Sequence, residues 1–575
     1  MMLTSYYDAL QPSGGLHPSR TGEFIAADLI GSRRVTVARW RNAVQETVVE
    51  GLWNAVDQTP DARYLWFPGG RTYTYADTME QVAQLAHGLI DLGVQPGDTV
   101  TTMLDNTPDA IFLWHAIVQV GAIATAINTA LKGDFLRHVI NDAASSIFIG
   151  ESDYVERLCR IASEVPMLKH VFRVGPTTAE VAQFAVDTLD SIRHHSEGFV
   201  RRNADAGDVC CLVYTGGTTG PSKGCMMSQN YLMKNARQNN ELVLRRESET
   251  SFNPLPIYHA NLIDTGVLGP LVQKSTSAIG RRFSVSEFWP TIKASGAQVA
   301  FLTGSMPVMI AQMADTPEML ECRGQLRALH AMPLAPEIEE IWIERFGCEI
   351  AGAKGYGSTE CHLVVDFPGG TKAGAKPGSS GKRNTDFDTR IFDDAGHELG
   401  PNKTGEVVVR PLSANRMYSG YWGRPADTLS VSQDLWFHTG DLGMFDEDGF
   451  FFFKDRKKDY LRRRGENVSS LEVESTLIKH PEIIEVAVHA VAAELAEDDI
   501  KITVVLRQGS ELAHRDLFEW TVEQLPYYAL PRYIEFREEL PKSPVGRVQK
   551  FILRDEGCTS TTWDREREDI QFERR

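Results

Sequence analysis

One stretch of the 575-residue chain, YTGGTTGPSKG at Tyr214–Gly224, packs four glycines, three threonines, a serine and a lysine into eleven positions. Bare glycine backbone lets N–H groups approach an anion, the hydroxyls add donors, and Lys223 adds charge, so the composition fits a phosphate cradle. The apolar run VCCLVY just ahead of it predicts a strand that feeds the loop. A Walker loop is excluded, because Lys223 follows Ser222 rather than a glycine and no Ser or Thr succeeds it. A Rossmann fingerprint is also absent. An ordinary surface turn does not need three threonines and a lysine together.

Strands and helices must position this loop, and a chain of 575 residues is too long for one hydrophobic core, so two or more domains are expected. Residues 1–45 read as an irregular extension. From about Glu46, strand and helix patterns alternate. TYADTMEQVAQLAHGLIDLGV has helical spacing with Thr74 as N-cap and Gly93 at its end, and DTVTTML reads as a strand. The alternation predicts an α/β domain over residues 46–457, with mostly parallel sheets flanked by helices. DTRIFDDAGHELG and GEVVVRP predict a small β subdomain at about 385–457. Residues 458–575 read as a small α+β domain, with strands in IIEVAVHAV and DIKITVVL and a helix in HRDLFEWTVEQL. The polar tail after Arg554 is expected to be loosely held.

The net charge of −18 excludes a nucleic-acid binder that relies on a general basic surface, while leaving room for a local basic patch. The eight cysteines lack zinc or redox spacing and read as structural thiols in a reducing cytoplasm. The N-terminal MMLTSYYDALQPSGG lacks the pattern of a signal peptide. AIFLWHAIVQVGAIATAIN carries His115, Gln119 and Asn128, and reads as a buried helix running into a strand rather than a membrane span. A cytoplasmic location without integral membrane association is therefore expected, and a homodimer is compatible with it.

The glycine-rich stretch resembles the signature loop of the adenylate-forming superfamily, which comprises acyl- and aryl-CoA synthetases, luciferases and peptide-synthetase adenylation domains. Gly216 stands where that family usually has serine, and Pro221–Ser222 replaces its x–Pro. Four further segments match in family order: GYGSTE at 355–360, FHTGDLGMFDEDGFFFFKDRKKD at 437–459, LRRRGENVSSLEVE at 461–474 and LPKSPVGRVQKFILR at 540–554. The resemblance covers residues from about 50 to 555. It implies a large N-terminal domain and a small mobile C-terminal domain that turns about a hinge, here Lys458.

The implied chemistry has two halves. A carboxylate attacks the α-phosphate of ATP to give an acyl-adenylate and pyrophosphate, and a thiol, usually of coenzyme A, displaces AMP. The resemblance implies that Thr215, Gly216, Gly217, Thr218, Thr219, Gly220 and Lys223 hold the phosphates. Tyr356 would stack on adenine, with Gly357 and Ser358 beside the nucleotide and Thr359 at the α-phosphate. Asp441 would take the ribose hydroxyls, Arg456 the ribose or phosphate, and Glu360 with Thr218 the Mg2+ ion. His259 in LPIYHANL, with Asn261, Gly304, Met332 and His362, would line the acyl pocket. Arg462, Arg463, Arg464, Gly465 and Glu466 would face CoA. The family's catalytic lysine normally follows a glycine; here Gly546 is followed by Arg547, and the nearest lysine is Lys550, so either could serve.

GTTGPSKG, RRRGENVSS, YYALPRYIEF and TWDRE resemble crotonobetaine/carnitine-type AMP-forming CoA ligases, which implies a small-molecule acid, compact or alicyclic and steroid-derived. The alternatives are an acyl-AMP ligase or luciferase-like enzyme that does not use free CoA, and a degenerate adenylate-binding protein.

Overall fold

The computed structural model describes residues 44–176, 184–194, 198, 200–217, 220–304, 306–332, 334–456, 461–463, 466–468, 470–492, 498–541, 548, 550–568 and 570. Residues 1–43, nearly all of the expected extension, lie outside the described residues, as does the expected hinge Lys458. Asn42–Arg575 forms one compact unit.

Its centre is two seven-stranded sheets that are parallel except at one edge each. One runs Val186–Thr188, His170–Val174, Ile147–Glu151, Thr99–Met103, Ile123–Ala126 and Val209–Gly217, and ends with the antiparallel Gly220–Ser228. The other runs Ile350–Ala351, Ala328–His330, Val299–Phe301, Ser251–Asn253, Ser277–Ile279 and Arg63–Phe67, and ends with the antiparallel Arg71–Thr74. Strands of parallel sheets are covered on both faces, and Thr99–Met103 is buried at every position. The helix Tyr75–Asp91 starts at Thr74 as expected. The Thr74 hydroxyl accepts from the Asp77 N–H at 3.0 Å while the Asp77 carboxylate accepts from the Thr74 N–H at 2.8 Å, so two orphan donors are satisfied at once. The apolar stretch at 110–128 is the helix Pro108–Gln119 running into the strand Ile123–Ala126. Among the described residues no helix is long and apolar enough to cross a membrane.

The antiparallel part starts earlier than the expected 385. Its eight-stranded sheet begins with Lys354–Ser358 and His362–Phe367 and runs on to Phe450–Arg456. Lys354–Ser358 reads KGYGS, which has no alternation of apolar residues to mark it as a strand. Phe387–Phe392 and Gly405–Pro411 pair as expected.

The C-terminal strands Ile483–Ala492, Asp498–Leu506, Tyr533–Phe536 and Trp563–Asp564 make a four-stranded sheet, packed by the helix His514–Gln524. In the tail after Arg554, the described residues 555–568 are not loose. Trp563–Asp564 adds an edge strand on Tyr533–Ile534, Arg565 is buried with its guanidinium 5.3 Å from the Phe518 ring centroid, and Asp564 accepts from Arg532. Several of the tail's polar residues meet a partner. Thr559, Thr561 and Thr562 all donate to Glu535, at 3.0 to 3.3 Å. All eight cysteines are free thiols, and only Cys558 is exposed.

Glu535 is buried beside Lys501 and 3.0 Å from Arg537. Burial raises its pKa, but hydrogen bonds from Lys501 and Arg537 outweigh this and bring it from 4.5 down to about 2. A carboxylate whose folded pKa is depressed stabilises the fold above its unfolded pKa, and that stability is lost as pH falls through the folded value. Glu535→Gln is therefore expected to lower the urea midpoint at pH 7. The gap to the unmodified protein should close as pH drops from 4.5 towards 2; a gap independent of pH would contradict this account.

Candidate active site

The glycine-rich stretch is the tip of a β-hairpin, with Tyr214 opposite Gly224, Thr215 opposite Lys223 and Gly217 opposite Gly220. Thr218 and Thr219 lie outside the described residues. The second hairpin strand is pinned along its free edge by segment 419–422. The Met226 N–H donates to Gly420, the Ser419 N–H to Met226 and the Trp422 N–H to Gly224, all at 2.8 to 2.9 Å. Tyr214 donates to Asp142 at 2.9 Å, and Asp142 also receives Arg424 at 2.5 Å. Lys223 Nζ stands 3.3 Å from Asp427 and 5.1 Å from the Tyr421 ring centroid.

Thr359 and Glu360 sit on the turn between Lys354–Ser358 and His362–Phe367. A bulge between Tyr356 and Gly357 brings the His362 carbonyl so close that a Cβ on Gly357 would lie 1.6 Å from its oxygen. Only glycine fits there. The same turn holds His362 at φ 52°, a left-handed conformation unusual for a histidine. Glu360 Oε1 accepts from the Tyr421 hydroxyl at 2.9 Å and has Cys225 Sγ 3.8 Å away, which ties the acid to the hairpin. Burial, and then the Glu360 charge, keeps Tyr421 protonated. Tyr231 donates to the Thr359 carbonyl at 3.0 Å.

On the opposite wall, Asp441 Oδ2 accepts from the Tyr356 hydroxyl at 2.9 Å, and the Tyr356 ring packs 4.8 Å from Phe451. Arg456 pairs across the sheet with Asp441 at the backbone. Tyr214, Thr215, Lys223, Tyr356, Gly357, Ser358, Thr359, Glu360 and Asp441 line one cavity of about 1440 Å³, which exceeds the roughly 300–1,000 Å³ of a common ligand pocket. His259, Asn261, Met332 and His362 line the same cavity, as does Thr303, the neighbour of Gly304. Glu360 fits a Mg2+ ion, which is usually held by one or two carboxylates while substrate phosphates and water complete its octahedron.

The residues expected at CoA divide. Glu466, on the hairpin Leu461–Arg463/Glu466–Val468, reaches His259 Nε2 at 3.0 Å and lines the cavity, so one predicted CoA residue meets one predicted acyl-pocket residue. Arg463 is buried within the C-terminal part instead, 3.2 Å from Asp499 and bonded to the Leu530 carbonyl. Arg464 and Gly465 lie outside the described residues, as does Arg547. Lys550 opens the helix Lys550–Glu556 and is bound to Ser470 at 2.9 Å and Glu474 at 2.5 Å.

Sequence reading missed Tyr421, Cys225, Asp427, Asp264 and His330. The first three matter only because segment 419–428 crosses the hairpin, which no local pattern reports. Asp264 and His330 did leave a signal: Asp264 is the one charged residue in ANLIDTGVLGPL and His330 the one polar residue in ALHAMPL, and an unpaired polar group in such a run is costly.

The model of the AMP-binding enzyme family matches residues 52–422, and that of the AMP-binding enzyme C-terminal domain matches residues 472–547. The chain belongs to the AMP-binding enzymes, the adenylate-forming superfamily. It is 26% identical over 489 residues to crotonobetaine/carnitine–CoA ligase of Salmonella arizonae, covering 84% of this chain and 93% of that one. Among solved structures, the amide bond synthetase McbA from Marinactinospora thermotolerans superposes with a TM-score of 0.77 at 23% identity, covering 89% of this chain and 99% of that one. The o-succinylbenzoate CoA synthetase MenE from Bacillus subtilis superposes with a TM-score of 0.74 at 22% identity, covering 89% of this chain and 99% of that one.

Gly357→Ala is expected to cut acid-dependent pyrophosphate exchange by about 100-fold or more, the scale of a 1 Å misplacement, with the circular dichroism spectrum retained. Exchange within about threefold of normal would show that the bulge does not aim Thr359 and Glu360.

Proposed function

We propose that this adenylate-forming enzyme is an AMP-forming acyl-CoA ligase. The contact between Glu466 and His259 carries the reading, because it brings the segment expected to receive CoA onto the wall of the acid pocket. In the first half-reaction an acid carboxylate oxygen attacks the α-phosphorus of ATP, the bond to the β-phosphate oxygen breaks, and pyrophosphate leaves. Both reactants are anions, so neutralisation and alignment supply most of the catalysis. Thr215 and Lys223 take the β- and γ-phosphates, Thr359 the α-phosphate, and Asp441 the ribose hydroxyls, exchanging its bond to Tyr356 for them. Mg2+ bound at Glu360 would supply charge neutralisation at the phosphates. In the second half-reaction the CoA sulfur attacks the acyl carbon, AMP leaves, and the thiol proton passes to solvent or a base. Lys458 is the proposed hinge between the two arrangements.

A second reading is favoured by the superposition on an amide bond synthetase: the same adenylate could be passed to an amine. Chromatography of the nucleotide products with a panel of acids, with CoA or amines as acceptors, tests both. AMP with a thioester is expected. ADP would overturn adenylation itself, and AMP with an amide but no thioester would select the second reading.

Arg547 is the proposed partner of the carboxylate and α-phosphate in the first half-reaction, because Lys550 is engaged by Glu474 and Ser470. Arg547→Ala should slow pyrophosphate exchange about 100-fold or more and spare thioester formation from supplied acyl-adenylate, whereas Lys550→Ala should be mild in both assays. The reverse pattern would assign the role to Lys550.

A further inference from the structure

The cavity wall beyond Thr359 and Glu360 contains polar groups that the adenylation chemistry does not use. Asp264 lies in the π-helical turn Ile263–Leu268, a distortion often found at functional sites. It is fully buried and lines the cavity, and among the described residues neither of its carboxyl oxygens has a partner in good hydrogen-bond geometry, although the Asn235 side chain lies near. Burial drives its pKa well up, against weaker opposing effects of Asn235 and Arg416.

Two histidines line the cavity with it. His330 is buried, its Nε2 has no hydrogen-bond partner among the described residues, and burial pushes its pKa down to about 4. The Asn239 amide, oriented by its bond to the Asn235 carbonyl, faces His362 Nε2 at 3.3 Å. Nε2 is thereby assigned as acceptor, which leaves the ring proton on Nδ1. Nδ1 is 3.9 Å from Asp264 Oδ2, too far for a direct hydrogen bond.

The wall therefore offers both donors and acceptors in a buried setting. A quaternary ammonium group fits it poorly, having no proton to give Asp264 and preferring aromatic faces. An entirely apolar acyl group would leave the Asp264 and His330 atoms unpaired. A hydroxyl satisfies both sides, because it donates to one group and accepts from another.

We infer that Asp264, His362 and His330 select an acid whose carbon skeleton carries a hydroxyl group remote from its carboxylate. This rests on the ligase reading for the identity of the cavity as an acid pocket, and names the class of acid it takes.

The test uses the full-length protein and a matched set of acids: cyclohexanecarboxylate, its 3- and 4-hydroxy isomers, and the corresponding amino acids. Binding in the presence of AMP is measured by calorimetry, and AMP release is followed separately. At least one hydroxy isomer should bind about tenfold or more tightly than the unsubstituted acid, the effect of leaving a buried polar group unpaired. Asp264→Leu should bring that ratio to about one, and Asp264→Asn should keep part of it. Equal binding of all the acids, binding of none, or preference for the unsubstituted or amino acids overturns the inference. So does an equal loss for both acids in a folded Asp264→Leu variant, and if that variant does not fold the ratio in the unmodified protein decides alone. Hydroxy-selective binding without AMP release would reject the ligase reading and leave the selectivity standing, whereas AMP release without hydroxyl preference would do the opposite.

Discussion

The turn at Gly357 is the constraint on which the site depends. The backbone of Gly357 rests against the His362 carbonyl with no room for a side chain, and the bulge this creates sends the chain in three directions at once. Tyr356 points to Asp441, Glu360 reaches Tyr421 and Cys225 at the glycine-rich hairpin, and His362 is turned into a left-handed conformation on the cavity wall. Such a backbone conformation costs about 1–3 kcal/mol and persists only where its surroundings over-determine it.

The surroundings are polar rather than apolar. The helix Gln229–Leu242, QNYLMKNARQNNEL, is mostly polar, yet Asn235, Gln238 and Asn239 are buried. Gln238 donates to the Leu363 carbonyl at 2.8 Å, and its side-chain oxygen accepts from the buried Arg416 at 2.7 Å. Arg416 is paired in turn with Asp386 at 2.9 Å and with Asn235 at 3.0 Å. A buried guanidinium is tolerable because each of these acceptors is present; removing any one would leave part of a charge unpaired. The network fixes the strand that follows Glu360 by direction as well as by contact, which apolar packing alone does not do.

The elements that hydrophobic period and capping define were readable in advance. Thr74 starts its helix, 110–128 is a helix then a strand, and the C-terminal strands and helix fall where their patterns lie. The motif spacing likewise brought Thr215, Lys223, Glu360 and Asp441 to one cavity. What failed was whatever depends on a distant partner. Lys354–Ser358 is a strand because its neighbours in the sheet make it one, and Trp563–Asp564 is held by a strand thirty positions upstream in the chain. Arg463 is one of three adjacent arginines, and nothing local distinguishes the one that Asp499 draws inside.

The ion pair between Lys223 and Asp427 bears on which anions the hairpin would accept in its proposed role. Lys223 already has a counter-charge 3.3 Å away and an aromatic face beneath it, so an incoming anion must outcompete a carboxylate that is always present. A monovalent ion gains little from the exchange, since it replaces one unit of negative charge by another and gives up its own hydration. A polyanion gains more, because its further charges reach other donors while Asp427, partly exposed, returns to water. In the phosphate-binding role proposed for Lys223, the pair would therefore act as a valence filter, disfavouring chloride and simple carboxylates relative to chains of phosphate.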